Sequence, residues 1–336
     1  MFYLILFFGF LFGAILQYAR LNRYDVISGM ATLEDYSVAK AIALAVGLGA
    51  ILLSLTAGLG ITAWHVKPFV VGGVVLGGLI FGSGMAILGY CPGTLAISAG
   101  EGSLDAVTGI LGGLAGGWIY TIVFPSIRNI LGPDLGTPSY HTIFGNSFFY
   151  GFMVVITGAG FIAIAYWLNK SENSRDKKWI YSGIGLALLE VLVFLKATTN
   201  RPVGASTSYP YVADLLTGTT GNTYFEKIST PGHWEVIFLT GAFLAGLIIS
   251  LVKKDFRFTL IHSRWEKYKG PSALKRVLWA FAGGFILIFG ARMAGGCTSG
   301  HILSGGMQLA MSSLVFAFFV FAGLLITGRL FYKSKS

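Results

Sequence analysis

Apolar runs of about twenty residues recur along the whole chain, and this pattern leaves few folds open. The hydrocarbon core of a bilayer is about 30 Å thick, so a spanning helix needs roughly 20 apolar residues, with its backbone polar groups satisfied internally. The runs fall at about 2–18, 38–63, 69–89, 104–124, 148–168, 179–197, 234–252, 277–294 and 309–331. Their length predicts an all-α integral membrane protein with about nine transmembrane helices, not a barrel. Of 336 residues, 54% are hydrophobic and only 11% charged, and the mean hydropathy is +0.73. Soluble domains are roughly one quarter charged. No polar stretch is long enough to bury a core of its own, so 1–336 reads as a single transmembrane domain. Phe2–Tyr18 lacks a basic flank and a clear cleavage site and reads as a span, not a signal peptide.

The net charge of +10 does not form one soluble basic face of the kind that binds nucleic acid; the basic residues sit between the spans. The connector Lys170–Lys178, the long connector Lys253–Arg276 and the tail Arg329–Lys335 are dense in Lys and Arg, which places all three in the cytoplasm. Each is separated from the next by two spans, so the assignment is self-consistent. It puts the N-terminus outside and the C-terminus inside a plasma membrane, with Arg20, Arg23 and Lys40 also on the inner side. The six remaining basic residues are Lys67, Arg128, Lys196, Arg201, Lys227 and Arg292.

Two segments resemble each other: Gly84-Met-Ala-Ile-Leu-Gly89-Tyr-Cys91-Pro-Gly-Thr94 and Gly290-Ala-Arg-Met-Ala-Gly295-Gly-Cys297-Thr-Ser-Gly300. Aligned on their cysteines, they share the glycines seven and two residues upstream. The topology puts Cys91 at the inner end of its helix and Cys297 at the outer end of its own. The chain therefore reads as two inverted repeats, about 1–124 and 179–331, linked by a helix at about 148–168. Segments 19–30, 90–100, 199–212 and 296–308 are too polar or glycine-rich to face lipid, yet too weakly charged for ordinary solvated loops. They are expected to be short re-entrant helices or loops dipping from both faces, since irregular backbone at membrane depth must be buried or line a cavity. Gly89, Gly93, Gly295, Gly296 and Gly300 would permit tight turns and close approach to a small ligand.

A free cysteine in a helix is commonly a small hydrophobe. Cys91 and Cys297, however, are the only two in the chain and occupy matching glycine contexts in opposed halves. They form no disulfide framework and have no zinc spacing. A neutral thiol is a polarisable, weak donor suited to a soft anion such as one with a terminal sulphur atom, and N–H groups at the starts of short half-helices suit its oxyanion end. Arg292, one helical turn before Cys297, could attract an anion or pair with Glu190. Lys196 and Arg201 near the outer face could steer anions or snorkel to the interface, and His301 is a further candidate.

No P-loop, G-x-S-x-G, zinc signature or Rossmann fingerprint is present, so the sequence gives no reason to expect an enzyme, a cofactor or ATP-driven pumping. A potential of about 100 mV, negative inside, opposes entry of a divalent anion by about 5 kcal/mol, at about 2.3 per charge. Uptake then needs an ion partner, a steep gradient or consumption inside. The spans carry few acidic residues apart from Glu190 to serve a proton relay, which favours consumption.

The paired cysteine segments, together with Arg201-Pro-Val-Gly-Ala-Ser-Thr207, resemble the YeeE/YedE sulphur-transport family over most of the chain. The resemblance implies thiosulfate uptake through an hourglass-shaped, nine-span protein dented from both faces, in which a line of thiols hydrogen-bonds the anion through the narrow middle. It also implies a cytoplasmic sulphur carrier of the TusA type as recipient. Cys91 and Cys297 match two of the family's cysteines. In the first dent, where the family pattern carries a cysteine after Q-x-x-R, Gln17-Tyr18-Ala19-Arg20 is followed here by Asn22, whose amide can donate to an oxyanion. The expected translocation path thus comprises Cys91, Gly93, Thr94, Gly296, Cys297, Thr298, Arg292, Asn22 and Gly204. Alternatives are transport of another sulphur or selenium anion, and a membrane scaffold or sensor acting through the connector 253–276.

Overall fold

In a computed structural model, which describes residues 1–145, 147–172 and 176–333, the chain is helical. Arg175 and Lys335, two of the basic residues assigned to the inner side, lie outside the described residues. The helices are α1 (Phe2–Tyr18), α2 (Tyr24–Ala31), α3 (Ser37–Gly58), α4 (Val71–Leu88), α5 (Pro92–Gly100), α6 (Leu104–Ile127), α7 (Tyr140–Phe144), α8 (Phe148–Glu172), α9 (Lys178–Phe194), α10 (Ser208–Thr217), α11 (Thr223–Val252), α12 (Ser263–Lys269), α13 (Ala273–Met293), α14 (Ser304–Met307) and α15 (Met311–Phe331). A π-helical turn, Thr298–Leu303, leads into α14. The described residues form no strand, only isolated backbone bridges such as Thr62 with Leu195.

Among the described residues, seven helical segments are long and apolar enough to cross a membrane: Ser37–Gly58, Val71–Gly100, Leu104–Ile127, Phe148–Glu172, Thr223–Val252, Ala273–Met307 and Met311–Phe331. The helices α1 and α9 have 17 residues each, about 26 Å at 1.5 Å per residue, slightly less than the hydrocarbon thickness. The helix α11 begins at Thr223, well before the span expected at 234. The Asn222 side chain caps it, accepting from the N–H groups of Tyr224 (3.0 Å) and Phe225 (2.8 Å), so a polar first stretch containing Pro231 stays helical.

Packing follows from small residues on the contact faces. α1 lies along α11, where a Cβ on Gly9 would fall 1.9 Å from the Phe238 carbonyl oxygen and one on Gly241 would fall 2.1 Å from that of Leu6. The two backbones touch directly, as membrane helices do when glycine lines the interface. α4 packs on α13 and α15, α13 also on α6, α9 on α3, α5 on α11 and α14 on α3. α8 flanks α3 and buries only Val154, Gly158 and Ala165. A single large apolar core, including Phe81, Leu88, Ile288 and Phe316, runs through the middle.

The loop regions at the Arg276 end of α13 are tied down by polar contacts. Asp25 of α2 accepts from Ser263 Oγ (2.9 Å) and the Arg264 N–H (3.0 Å), which seats α12 on α2. Arg264 pairs with Glu34 at 2.6 Å and also donates to Thr32. That guanidinium hydrogen bond holds the Glu34 carboxyl down to about 2.

Candidate functional site

The elbow between α4 and α5 is built by its sequence. α4 ends where Gly89 turns left-handed (φ 79), a conformation a side chain resists. A Cβ there would also meet the Tyr24 ring at 2.2 Å. Pro92 then opens α5 at its first position, where its missing N–H costs nothing. Cys91 is thereby the N-cap of α5. Its N–H donates to Thr94 Oγ1 (2.8 Å), and that hydroxyl lies 3.3 Å from Cys91 Sγ. Cys297 occupies the N-cap position of the π-helical turn, with its buried Sγ 3.2 Å from Ser299 Oγ.

The two cysteine segments meet. A cavity of about 60 Å³ is lined by Cys91, Gly93 and Thr94 from one and by Thr298 and Ser299 from the other, with Phe12, Leu16, Met85 and Leu186 among its apolar walls. Both helix starts open onto the same space. Tyr209 of α10 bridges to this site, its hydroxyl donating to the Pro92 carbonyl at 3.0 Å.

At the Arg292 end of α13 a polar cluster forms. Arg292 donates to Tyr224 Oη (2.7 Å), Thr207 Oγ1 (3.1 Å) and Ser206 Oγ (3.2 Å). The pairing of Arg292 with Glu190 considered from sequence does not occur: Glu190 instead accepts from Ser304 Oγ. Glu235 accepts from the Ser208 N–H at 3.1 Å and also from the Thr207 N–H. Gly204 lies against that carboxylate, since a Cβ there would come 2.2 Å from Glu235 Oε1. Gly296 faces Lys67, whose Nζ would stand 3.1 Å from an added Cβ and donates to the Gly295 carbonyl at 2.8 Å. His301 is held on both ring nitrogens, by Ser313 Oγ (3.0 Å) and the Ala294 carbonyl (2.9 Å).

Asn22 is fully buried but does not line the cysteine cavity. Its Nδ2 donates to Ser98 Oγ (3.1 Å) and Glu101 Oε2 (3.0 Å), near the C-terminal end of α5. Beyond it a polar cavity of about 580 Å³ opens, walled by Arg20, Arg23, Tyr90, Glu101, Lys254 and His262 among others. Against the wall of that polar cavity formed by Tyr24, Tyr90 and His262 lies a buried ion cluster. Arg276 pairs with Asp105 at 2.5 Å, donates to the Leu88 carbonyl at 2.8 Å, and stacks between Tyr24 and Trp265 at 4.4 and 4.8 Å. His262 Nε2 lies 3.1 Å from Asp105 and 3.0 Å from Tyr90 Oη.

The structure thus gathers Cys91, Gly93, Thr94 and Thr298 in one cavity, puts Cys297, Gly296, Arg292 and Gly204 around the polar cluster at one end, and sets Asn22 towards the other. Lys67, Tyr209, Tyr224 and Glu235 belong to these surroundings without having been expected there. Glu235 carried a signal, as an acidic residue at the start of a predicted span. The others carried none.

Among the described residues, an all-helical arrangement with several segments able to cross a membrane around a small cavity has the build of a membrane transport protein. Comparison with known proteins makes this specific. A family profile described as sulphur transport matches residues 20–326. The thiosulfate transporter TsuA of Spirochaeta thermophila is 25% identical over 344 residues, covering 94% of each chain. The protein of that name from Escherichia coli is 22% identical over 348 residues, covering 96% of this chain and 93% of its own. The chain belongs to the sulphur-transport family.

Proposed function

We propose that this protein takes up thiosulfate across the plasma membrane, passing it through the cavity where the Cys91 and Thr298 segments meet. The observation that carries the reading is that shared cavity: the start of α5 with the Cys91 thiol, and the first residues of the turn that follows Cys297, open onto one small space. In the proposed path the anion gathers near Lys67, Arg201 and Arg292, passes Cys297 and Cys91 as hydrogen-bond donors to sulphur, and leaves by the polar cavity beyond Asn22. The Thr94 and Ser299 hydroxyls lie beside the thiols, at 3.3 and 3.2 Å from the sulphurs, and give this stretch of the path a polar wall. A cytoplasmic sulphur carrier of the TusA type would then consume it, which offsets the opposing potential.

The architecture that fits this route is nine spans in two inverted repeats, with α2, α5, α10 and the turn before α14 re-entrant, the N-terminus outside and the C-terminus in the cytoplasm. What supports it is how contacts repeat. α1 on α11 has its image in α9 on α3, α6 on α13 in α15 on α4, and α5 on α11 in α14 on α3. α4 on α13 is its own image, and α8 has none, as expected of a linking helix. Uptake of labelled thiosulfate into proteoliposomes tests the function. Cys91→Ala and Cys297→Ala, normally inserted, are expected to abolish it; undiminished uptake by both would remove the thiols from the mechanism, and uptake of sulphate in preference to thiosulfate would refute the substrate.

A further inference from the structure

Glu190 has no part in the route just described, yet its setting is unusual. It lies one helical turn before the end of α9 and is 1% exposed. Its two carboxyl oxygens lie 3.0 and 2.9 Å from Ser304 Oγ, and the Val203 N–H also approaches it. No basic side chain lies within ion-pair distance of it among the described residues. An ionisable residue inside the membrane without a counter-ion is costly and is retained for function.

The surrounding charged groups are all engaged elsewhere. On α3, Lys40 pairs with Glu172. Past the end of α9, Lys196 donates to the Gly60 carbonyl, while Arg201 bonds the Thr230 carbonyl and lies over Trp234. In the loop after α3, His65 contacts Asn200 and Lys67 donates to the Gly295 carbonyl, and on the π-helical turn His301 is held by Ser313 and Ala294. α1, packed against α9, carries no charge between Phe2 and Tyr18.

Counting protons sharpens the point. Ser304 Oγ also lies 3.1 Å from the Val203 carbonyl. One hydroxyl proton cannot serve both that carbonyl and the carboxylate. If Glu190 carries its own proton, the chain closes: Glu190 O–H donates to Ser304 Oγ, which donates to the Val203 carbonyl. Ser304 directly follows the π-helical turn capped by Cys297, and Leu186, one turn back along α9, lines the cysteine cavity. A change of protonation at Glu190 is therefore felt by the segment that builds the anion's path.

We infer that Glu190 is a proton-binding site that couples anion entry to proton entry. The inference rests on the transport reading above. An O–H bond forms at Glu190 from the outer side and breaks towards the inner side in each cycle, with no net change to the protein. Moving one proton with each divalent anion cancels one of its two charges, worth about 50-fold in accumulation at the potential considered above.

The test uses the full-length protein in proteoliposomes with the potential clamped at zero, labelled thiosulfate outside and a trapped pH dye. The expected result is internal acidification in step with uptake, near one proton per anion, and an accumulation ratio raised about tenfold by one pH unit of inward gradient. Glu190→Gln should lose both the acidification and the gradient response. Ser304→Ala, which keeps the carboxyl, should still move protons but shift the pH of half-maximal uptake. Thiosulfate uptake by the wild type without acidification overturns the inference and leaves the transport reading standing, whether or not Glu190→Gln folds. Proton movement by Glu190→Gln equal to the wild type also overturns it. If the wild type takes up no thiosulfate, the transport reading falls and the inference falls with it.

Discussion

Replacing Asp105 by Ala tests the buried cluster that holds the elbow in front of Cys91. Asp105 and Arg276 are both 0% exposed, and Asp105 receives two guanidinium bonds, with Tyr90 Oη at 3.2 Å and His262 Nε2 at 3.1 Å also on it. Without Asp105 the Arg276 guanidinium keeps its stacking on Tyr24 and Trp265 but only one hydrogen-bond acceptor, the Leu88 carbonyl, and its Nη1 already has no partner. Stranding one member of a buried pair costs about 3–5 kcal/mol. The same principle makes the apolar double replacement Asp105→Leu with Arg276→Met far milder, because no charge is left unpaired. Thermal unfolding in detergent micelles, followed by tryptophan fluorescence, should therefore rank the single variant well below the double. Tyr90 loses its carboxylate partner in both, so thiosulfate uptake should fall in both, even where the double variant is stable. A single variant within about 1 kcal/mol of wild type would refute the claim that this pair is a dry, mutually dependent unit.

Gly204→Ala should push the buried Glu235 carboxylate off the Thr207 and Ser208 N–H groups, because its Cβ would fall on Glu235 Oε1, and so lower the melting temperature in micelles; an unchanged melting temperature would contradict the contact. Arg292→Gln removes a charged donor from three hydroxyls, a loss of about 1.5–3 kcal/mol per charge-assisted interaction, and uptake should drop about tenfold or more. Unchanged uptake with a lowered melting temperature would assign Arg292 to packing alone. The Glu34 carboxyl, held down to about 2 by Arg264, stabilises the seat of α12 fully above the ordinary carboxylate range. That contribution is lost as pH falls from about 4.5 towards 2. Amide protection in 253–276, taken against the intrinsic exchange rate at each pH, should fall over that window in wild type and already be low at neutral pH in Glu34→Ala.

Seven of the nine expected spans were legible because lipid demands long apolar runs, and the ends of α4, α8 and α13 fell within a few residues of where hydropathy placed them. α11 was not, since its first turns, Thr223 to His233, are polar and held helical by Asn222, a signal hydropathy ignores. The pairing of the two cysteine segments could be read from matching glycine spacing. The partners of the buried charges could not: Asp105 and Arg276 are 171 positions apart, and Arg292 reaches Tyr224, which lay outside any predicted span. Lys67, one of the six basic residues left unassigned by the connectors, lies over Gly296 because the loop after α3 folds onto the π-helical turn. Asn22, expected beside the thiols, sits deeper because α5 offers it Ser98 and Glu101.

The most direct test of the thiol-lined route is whether thiosulfate shields Cys91. Cys91 is half-buried and Cys297 buried, so a small uncharged maleimide should label Cys91 first in native membranes. At ten times its half-saturating concentration, thiosulfate should slow that labelling about tenfold, and sulphate at the same concentration should not. Labelling of Cys91 at the same rate with and without saturating thiosulfate would contradict passage of the anion beside that sulphur.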